Sequence, residues 1–198
     1  MEQKLSEEIQ KRIQNPSETF PTEPVIKGQK LILRPMCMED TEQFLRMRNH
    51  PDVNRWFVFR REITAEEHIA WINEHLTTSG DCRQFMIYAP HEDGLSYYII
   101  GCTNLKNIDL IAGSAEYGVF IADPNVRGKG YGTETLSLMI KYAFEHLGLK
   151  SVLSRVFTDN IPSFTHFERG GFTVIKELKD VICTDGTKAD MYLMELRK

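Results

Sequence analysis

The sequence contains no CxxC pair, no HExxH and no apolar run near the roughly 18 residues that would span a bilayer. Each absence removes a class of protein. The four cysteines, Cys37, Cys82, Cys102 and Cys183, lie far apart with no histidine at zinc-finger spacing, so neither a disulfide framework nor a zinc module is expected. Two of them sit among β-type residues, in Ile100-Gly101-Cys102 and Val181-Ile182-Cys183. They read as buried thiols of a reducing compartment, which points to the cytoplasm. The six histidines form no ligand constellation, so no metal is expected. Positive charge is not in excess: 24 Lys and Arg against 28 Asp and Glu give -4, which argues against nucleic acid as a partner. The first residues are too acidic for a secretory or transit peptide, no membrane partner is expected, and no repeat or low-complexity tract is visible. What is present is 41% hydrophobic content in 198 residues, enough for one domain that buries roughly 70% of its unfolded surface.

Residues 1–29 differ from the rest. Leu5, Ile9 and Ile13 recur every four residues in a charged background, the pattern of a short amphipathic helix, and Pro16, Pro21 and Pro24 stop it. This segment reads as an N-terminal extension, with the domain proper over residues 30–198. Within that domain Lys30–Arg34 predicts a strand, Glu39–Asn49 a helix closed by Pro51, and Thr64-Ala65-Glu66-Glu67 a capping box that opens a second helix. Phe85–Ala89, Tyr97–Leu105 and Ala115–Ala122 predict strands, and Tyr131–Leu147 the longest helix, stopped by Gly148. Ser151–Phe157 predicts another strand and Pro162–Arg169 a short helix. Phe172–Cys183 and Lys188–Leu196 form a closing hairpin about Asp185-Gly186. Strands, one long crossing helix and strands again define an α+β domain with a sheet of mixed direction.

The most informative segment joins a strand to the longest helix: Asp123-Pro124-Asn125-Val126-Arg127-Gly128-Lys129-Gly130-Tyr131-Gly132-Thr133. Its glycines allow consecutive N–H groups to converge on one anion at the positive end of the helix dipole, and Arg127 and Lys129 add formal charge. A phosphate or pyrophosphate is the natural guest, against a glycine-rich helix entry that binds nothing. Lys129 is followed by Gly130, so this is not the GK[ST] ending of a P-loop; the spacing GxGxG also departs from the dinucleotide GxGxxG.

The stretch Arg127-Gly128-Lys129-Gly130-Tyr131-Gly132 resembles the coenzyme A signature of the GCN5-related N-acetyltransferases, Arg/Gln-x-x-Gly-x-Gly/Ala. The resemblance is closest to the branch of the ribosomal-protein N-terminal acetyltransferases. Arg48-Asn49-His50-Pro51 through Arg55-Trp56-Phe57, Ala115-Glu116-Tyr117-Gly118, Asn160-x-x-Ser163 and Glu168–Phe172 follow in family order, covering roughly residues 30–197. The fold this implies is a mostly antiparallel sheet of about seven strands, splayed between strands 4 and 5 and flanked by about four helices.

The resemblance implies acetyl-CoA as cosubstrate, bound by the backbone and side chains of Arg127, Gly128, Lys129, Gly130, Tyr131, Gly132 and Thr133. Phe120 and Ile121 would pair with its pantetheine arm, and Asn160, Ser163 and Phe167 would flank it. Gly118 fits a bulge that starts the splay, or simple packing. Glu116 is the candidate base for the acceptor amine, against a solvated sheet-edge glutamate. Backbone N–H groups near Ile121 would hold the oxyanion. Many family members carry a tyrosine where this chain has Phe167, which has no proton for the departing thiolate; Ser163 is the nearest replacement. The acceptor would enter between Pro51–Glu62, with Arg55, Trp56 and Phe57, and the hairpin turn at Asp185-Gly186. Arg55, Arg60 and Arg61 suit an acceptor bearing carboxylate or phosphate, and a solvated basic loop is the plainer alternative. The expected activity is acetyl transfer to a primary amine: a protein N-terminus, an amino sugar or another small amine. The alternative is a non-catalytic acyl-CoA-binding module. A homodimer is open on this evidence.

Overall fold

Ile32–Pro35 and Arg83–Pro90 are buried along almost their whole length, because helices cover both faces of the sheet they enter. The structure is a computed structural model that describes residues 23–94 and 96–198; the helix expected over Leu5–Ile13 lies outside the described residues. The strands are β1 (Ile26–Lys27), β2 (Ile32–Pro35), β3 (Arg83–Pro90), β4 (Tyr97–Asp109), β5 (Ser114–Ile121), β6 (Ser151–Phe157), β7 (Thr173–Ile182) and β8 (Lys188–Arg197). The helices are α1 (Thr41–Arg48), α2 (Pro51–Asn54), α3 (Ala65–Ile72), α4 (Tyr131–Lys141) and α5 (Ile161–Arg169). The sheet order is β1-β2-β3-β4-β5-β6-β8-β7, and among the described residues only β5 and β6 run parallel.

The mixed, mostly antiparallel α+β architecture is the expected one, with three differences among the described residues. There are eight strands rather than about seven, because Ile26 and Lys27 pair with Leu33 and Ile32 ahead of the expected start at residue 30. There are five α-helices rather than about four. Pro51 presets the first helical φ and the His50 ring accepts from Asp52 N, so Pro51–Asn54 forms a turn of helix where a loop was expected. Finally, α4 passes into a wider π-helical turn over Tyr142–His146, which completes the expected long helix.

Local signals fixed the rest. Thr64 Oγ1 accepts from Glu67 N at 3.2 Å and Glu67 returns a bond to Thr64 N at 3.0 Å, the capping box of α3. On one face of the sheet, α4 and α5 bury Leu136, Met139, Ala143 and Phe167 against Leu105, Ala115, Tyr117 and Val152. On the other, α1 and α3 bury Phe44, Met47 and Ile72 against Met86, Tyr88 and Cys102. Each large side chain withdrawn from water contributes about 1.5–3 kcal/mol. All four cysteines are buried and unpaired.

A buried polar cluster ties α1 to β2. Arg34 Nη2 donates to Asp40 Oδ1 at 2.5 Å and to the Tyr88 hydroxyl at 2.6 Å, and Asp40 Oδ2 accepts from Cys37 N at 2.8 Å. Burial opposes the Arg34 charge, but Asp40 and Tyr88 beside it more than restore it. No helix among the described residues is long and apolar enough to cross a membrane.

Candidate active site

The glycine turn begins where Asp123 Oδ1 accepts from Asn125 N at 2.8 Å and ends β5. Gly128 and Gly130 take φ of +75° and +88°, a region that side chains disfavour. Gly130 is the N-cap of α4 and offers no side-chain acceptor, so no side chain caps the first N–H groups of this eleven-residue helix. Arg127, Lys129 and Thr133 are exposed beside them, while Tyr131 packs against the core and Gly132 is half-buried. A third cation joins them. Lys30 Nζ donates to Lys129 O at 3.2 Å, and Glu134 fixes Lys30 by accepting from its N–H at 3.0 Å and from Gln29 N. Lys30 carried no signal in the sequence, because its approach to the turn spans about a hundred residues.

The splay is directly visible in the register. β5 pairs with β6 only from Ser114↔Ser151 to Glu116↔Leu153, whereas its pairing with β4 continues to Ile121↔Gly101. The edge of β5 from Tyr117 to Ile121 is therefore unpaired on the β6 side. Gly101 is a residue that sequence reasoning missed: a Cβ there would stand 2.1 Å from Phe120 O, so only glycine lets the two backbones approach. Strand alternation sends Phe120 and Ile121 to opposite faces. Phe120 meets Phe44 and Phe57, each at 6.0 Å between ring centroids. Ile121 lies against Gly132 and the His166 ring, both near the space that a Cβ on Gly132 would fill.

On α5, Asn160 is the N-cap, its Oδ1 accepting from Ser163 N at 3.2 Å. That leaves the Asn160 amide nitrogen as the atom able to donate to a ligand. Ser163 is half-buried. Phe167 is 3% exposed and sits edge-on between Tyr117 at 5.8 Å and Phe172 at 5.2 Å, in the core under β5. Its neighbour His166 faces Gly132, with a buried Nε2 that has no partner among the described residues, and burial lowers its pKa.

Glu116 lies on the opposite face, at the last row before the strands part. Arg155 Nε and Nη2 reach its two carboxylate oxygens at 3.1 and 3.0 Å, and Lys106 Nζ approaches Oε1 at 3.2 Å. Burial alone would raise its pKa; Lys106 and Arg155 outweigh that and hold it below the usual carboxylate range. The same face carries the loop after α2. Phe57 packs on Phe120, and the Arg48 guanidinium stacks over the Phe57 ring at 3.6 Å. Trp56 packs on Phe157 with Arg55 over its ring at 5.1 Å.

The loop and the β7–β8 turn do meet: Arg60 N donates to Thr184 Oγ1 at 2.8 Å, and Thr184 N to Val58 O at 3.0 Å. Two of the three loop arginines are already neutralised, Arg60 by Asp185 at 3.6 Å and Arg61 by Glu67. Arg48 is different. It is 4% exposed, donates to Asn54 Oδ1 and Phe59 O at 2.7 Å, and among the described residues has no carboxylate within ion-pair distance. Burial lowers its pKa to about 10.

An uncapped helix start with three cations around it, beside a free strand edge, fits an extended pyrophosphate-bearing coenzyme. Solved structures share this fold. A spermidine N-acetyltransferase from Vibrio cholerae in complex with CoA and spermine superposes with a TM-score of 0.76 at 21% identity, covering 86% of this chain and 96% of that one. Residues 30–173 match the family model described as Acetyltransferase (GNAT) domain. Acetyltransferase PseH of Campylobacter jejuni (serotype O:23/36) is 31% identical over 142 residues, 72% of this chain and 82% of PseH. N-acetyltransferase p20 of Bacillus licheniformis is 28% identical over 173 residues, 86% of this chain and 94% of p20. The chain belongs to the GNAT acetyltransferase family. It is an N-acetyltransferase that takes its acetyl group from acetyl-CoA. The resemblance to the ribosomal-protein branch in particular rests on the sequence motifs alone.

Proposed function

We propose that the chain acetylates a primary amine on an acceptor that carries an anionic group nearby. Arg48 carries this reading: a buried cation without a counter-charge among the described residues, beside Phe57 on the face where Glu116 and Phe120 lie. Leaving a charge buried and unpaired is costly, and a carboxylate or phosphate on the acceptor would relieve that cost. Exposed Arg55 adds to the same field. An amino sugar linked to a nucleotide fits best, with an acidic protein N-terminus as second choice. A polyamine, the ligand of the Vibrio cholerae enzyme, would meet like charge here.

In this reading acetyl-CoA supplies the activated acyl group. Lys30, Arg127, Lys129 and the N–H groups from Gly128 to Thr133 hold its pyrophosphate. The Phe120–Ile121 edge pairs with its arm, and Asn160 donates to the arm. Ser163 lies toward the thiol end, with Phe167 backing Tyr117 as the apolar floor. Glu116 takes the amine's proton, directly or through water, and N–H groups near Ile121 hold the oxyanion. Trp56, Phe57 and Arg55 line the acceptor's entry. We place the enzyme in the cytoplasm, consistent with four unpaired cysteines, and begin its catalytic domain no later than Ile26, whose strand joins the sheet.

Coenzyme release measured with a nucleotide-linked amino sugar, an acidic peptide and spermidine tests the reading. Turnover should favour the anionic acceptors, and Arg48→Met should lower their kcat/KM at least tenfold while leaving the KM for acetyl-CoA unchanged. A preference for spermidine would overturn it.

A further inference from the structure

One row across the acceptor-side face runs through Gln84, Asn104 and Gly118, paired in register between β3, β4 and β5. It lies between Glu116 and Phe120, which share this face of β5 by alternation. The side chains of the row form a chain with a fixed direction. Gln84 Nε2 donates to Met36 Sδ at 3.0 Å, and a thioether can only accept. Gln84 Oε1 must therefore face Asn104, where it accepts from Nδ2 at 3.3 Å. That in turn points Asn104 Oδ1 at β5.

There the atom meets a glycine. A Cβ on Gly118 would stand 2.8 Å from Asn104 Oδ1 and 4.0 Å from Nδ2, so the carboxamide reaches from β4 across Gly118 and lies over β5. Oδ1 is buried and, among the described residues, has no hydrogen-bond partner. An acceptor atom left without a donor costs about 1–3 kcal/mol, and native structures keep few of them. This one stands over the strand whose opposite edge is the free edge of the splay, next to Glu116.

We infer that Asn104 Oδ1 holds one N–H of the acceptor's amine. This rests on the acetyl-transfer reading above and adds to it a residue that positions the nucleophile. The atom presents lone pairs only, so it selects a donor and repels a carbonyl or phosphate oxygen at this spot. A primary amine has two N–H bonds to spend. With one on Asn104 and the other toward Glu116, the nitrogen lone pair is left to face the splay, where the thioester carbonyl lies. The lone pair forms the N–C bond as the C–S bond breaks with its pair on sulfur. The proton that nitrogen loses through Glu116 balances the one the thiolate finally gains, and Asn104 exchanges none. Gly118 is thus explained by the carboxamide lying over it rather than by a bulge.

The test compares Asn104→Leu, Asn104→Asp and Gly118→Ala with wild type, using the panel amine that wild type turns over fastest. Asn104→Leu removes the acceptor atom, and Gly118→Ala displaces it with a Cβ. Both should raise the amine KM at least tenfold and leave the acetyl-CoA KM within about twofold. Asn104→Asp keeps an oxygen at the site and should hold the amine KM within about threefold. Unchanged amine KM in Asn104→Leu and Gly118→Ala overturns the inference while the acetyl-transfer reading stands. If Asn104→Leu does not fold, a folded Asn104→Asp that loses amine binding overturns it as well. Failure of wild type to turn over any amine overturns the parent reading, and this one with it.

Discussion

Arg155 grips both carboxylate oxygens of Glu116, at 3.1 and 3.0 Å, at the last row where β5 and β6 pair. A forked guanidinium of this kind fixes orientation as well as charge. It keeps Glu116 ionised and aimed at the splay, at the expense of its strength as a base.

That relationship sets a pH dependence. Arg155→Met removes one of the two cations that lower the Glu116 pKa, so the carboxyl protonates at higher pH than in wild type. In the proposed mechanism only the ionised form takes a proton from the amine. The acid limb of the kcat/KM profile should therefore move to higher pH, with little change on the alkaline side. Glu116→Gln should lower kcat by about 100-fold at every pH, with the acetyl-CoA KM unchanged.

Lys30 should matter to the coenzyme although it lies a hundred residues from the signature. Lys30→Met removes one of three cations at the turn and should weaken coenzyme A binding about fivefold, with a shallower salt dependence. Calorimetric titration at two salt concentrations reads both. An equal salt slope in variant and wild type would remove Lys30 from the site.

The Arg34–Asp40 pair should dominate stability on the β2 side. Asp40→Ala leaves a fully buried guanidinium without its counter-charge and should cost about 3–5 kcal/mol in urea unfolding. Replacing both partners, Arg34→Met with Asp40→Leu, should recover most of that loss, because neither charge then needs burying.

His68 predicts how stability falls in acid. Its ring is stacked on Phe44 at 4.4 Å, and burial lowers its pKa to about 4. The unfolded chain binds that proton near pH 6.5, so stability declines as pH falls from about 6.5 to 4, by about 3 kcal/mol in all. His68→Phe keeps the stacking and removes the titration. Its urea midpoint should drop less between pH 7 and 4.5 than that of wild type.

Much of the fold was legible because its signals are local. The Thr64–Glu67 capping box, the glycines that end α4 and form its entry, and the Asp185-Gly186 turn each act within a few residues. Pro51 closes α1 as expected, and its fixed φ also starts the short α2, where a loop was expected. Charge was the least legible feature. Arg55, Arg60 and Arg61 looked alike, yet Asp185 and Glu67 claim two of them, and Arg48 is buried with no carboxylate within ion-pair distance among the described residues.

By itself the sequence determined the proposed coenzyme side. An anion site made of consecutive backbone N–H groups needs only glycines and a helix start, which lie in one short run from Arg127 to Thr133. The acceptor side was decided by tertiary structure alone. Glu116 meets Arg155 and Asn104 lies over Gly118 only once separate strands come into register. A one-residue slip would send each of these side chains to the other face of the sheet.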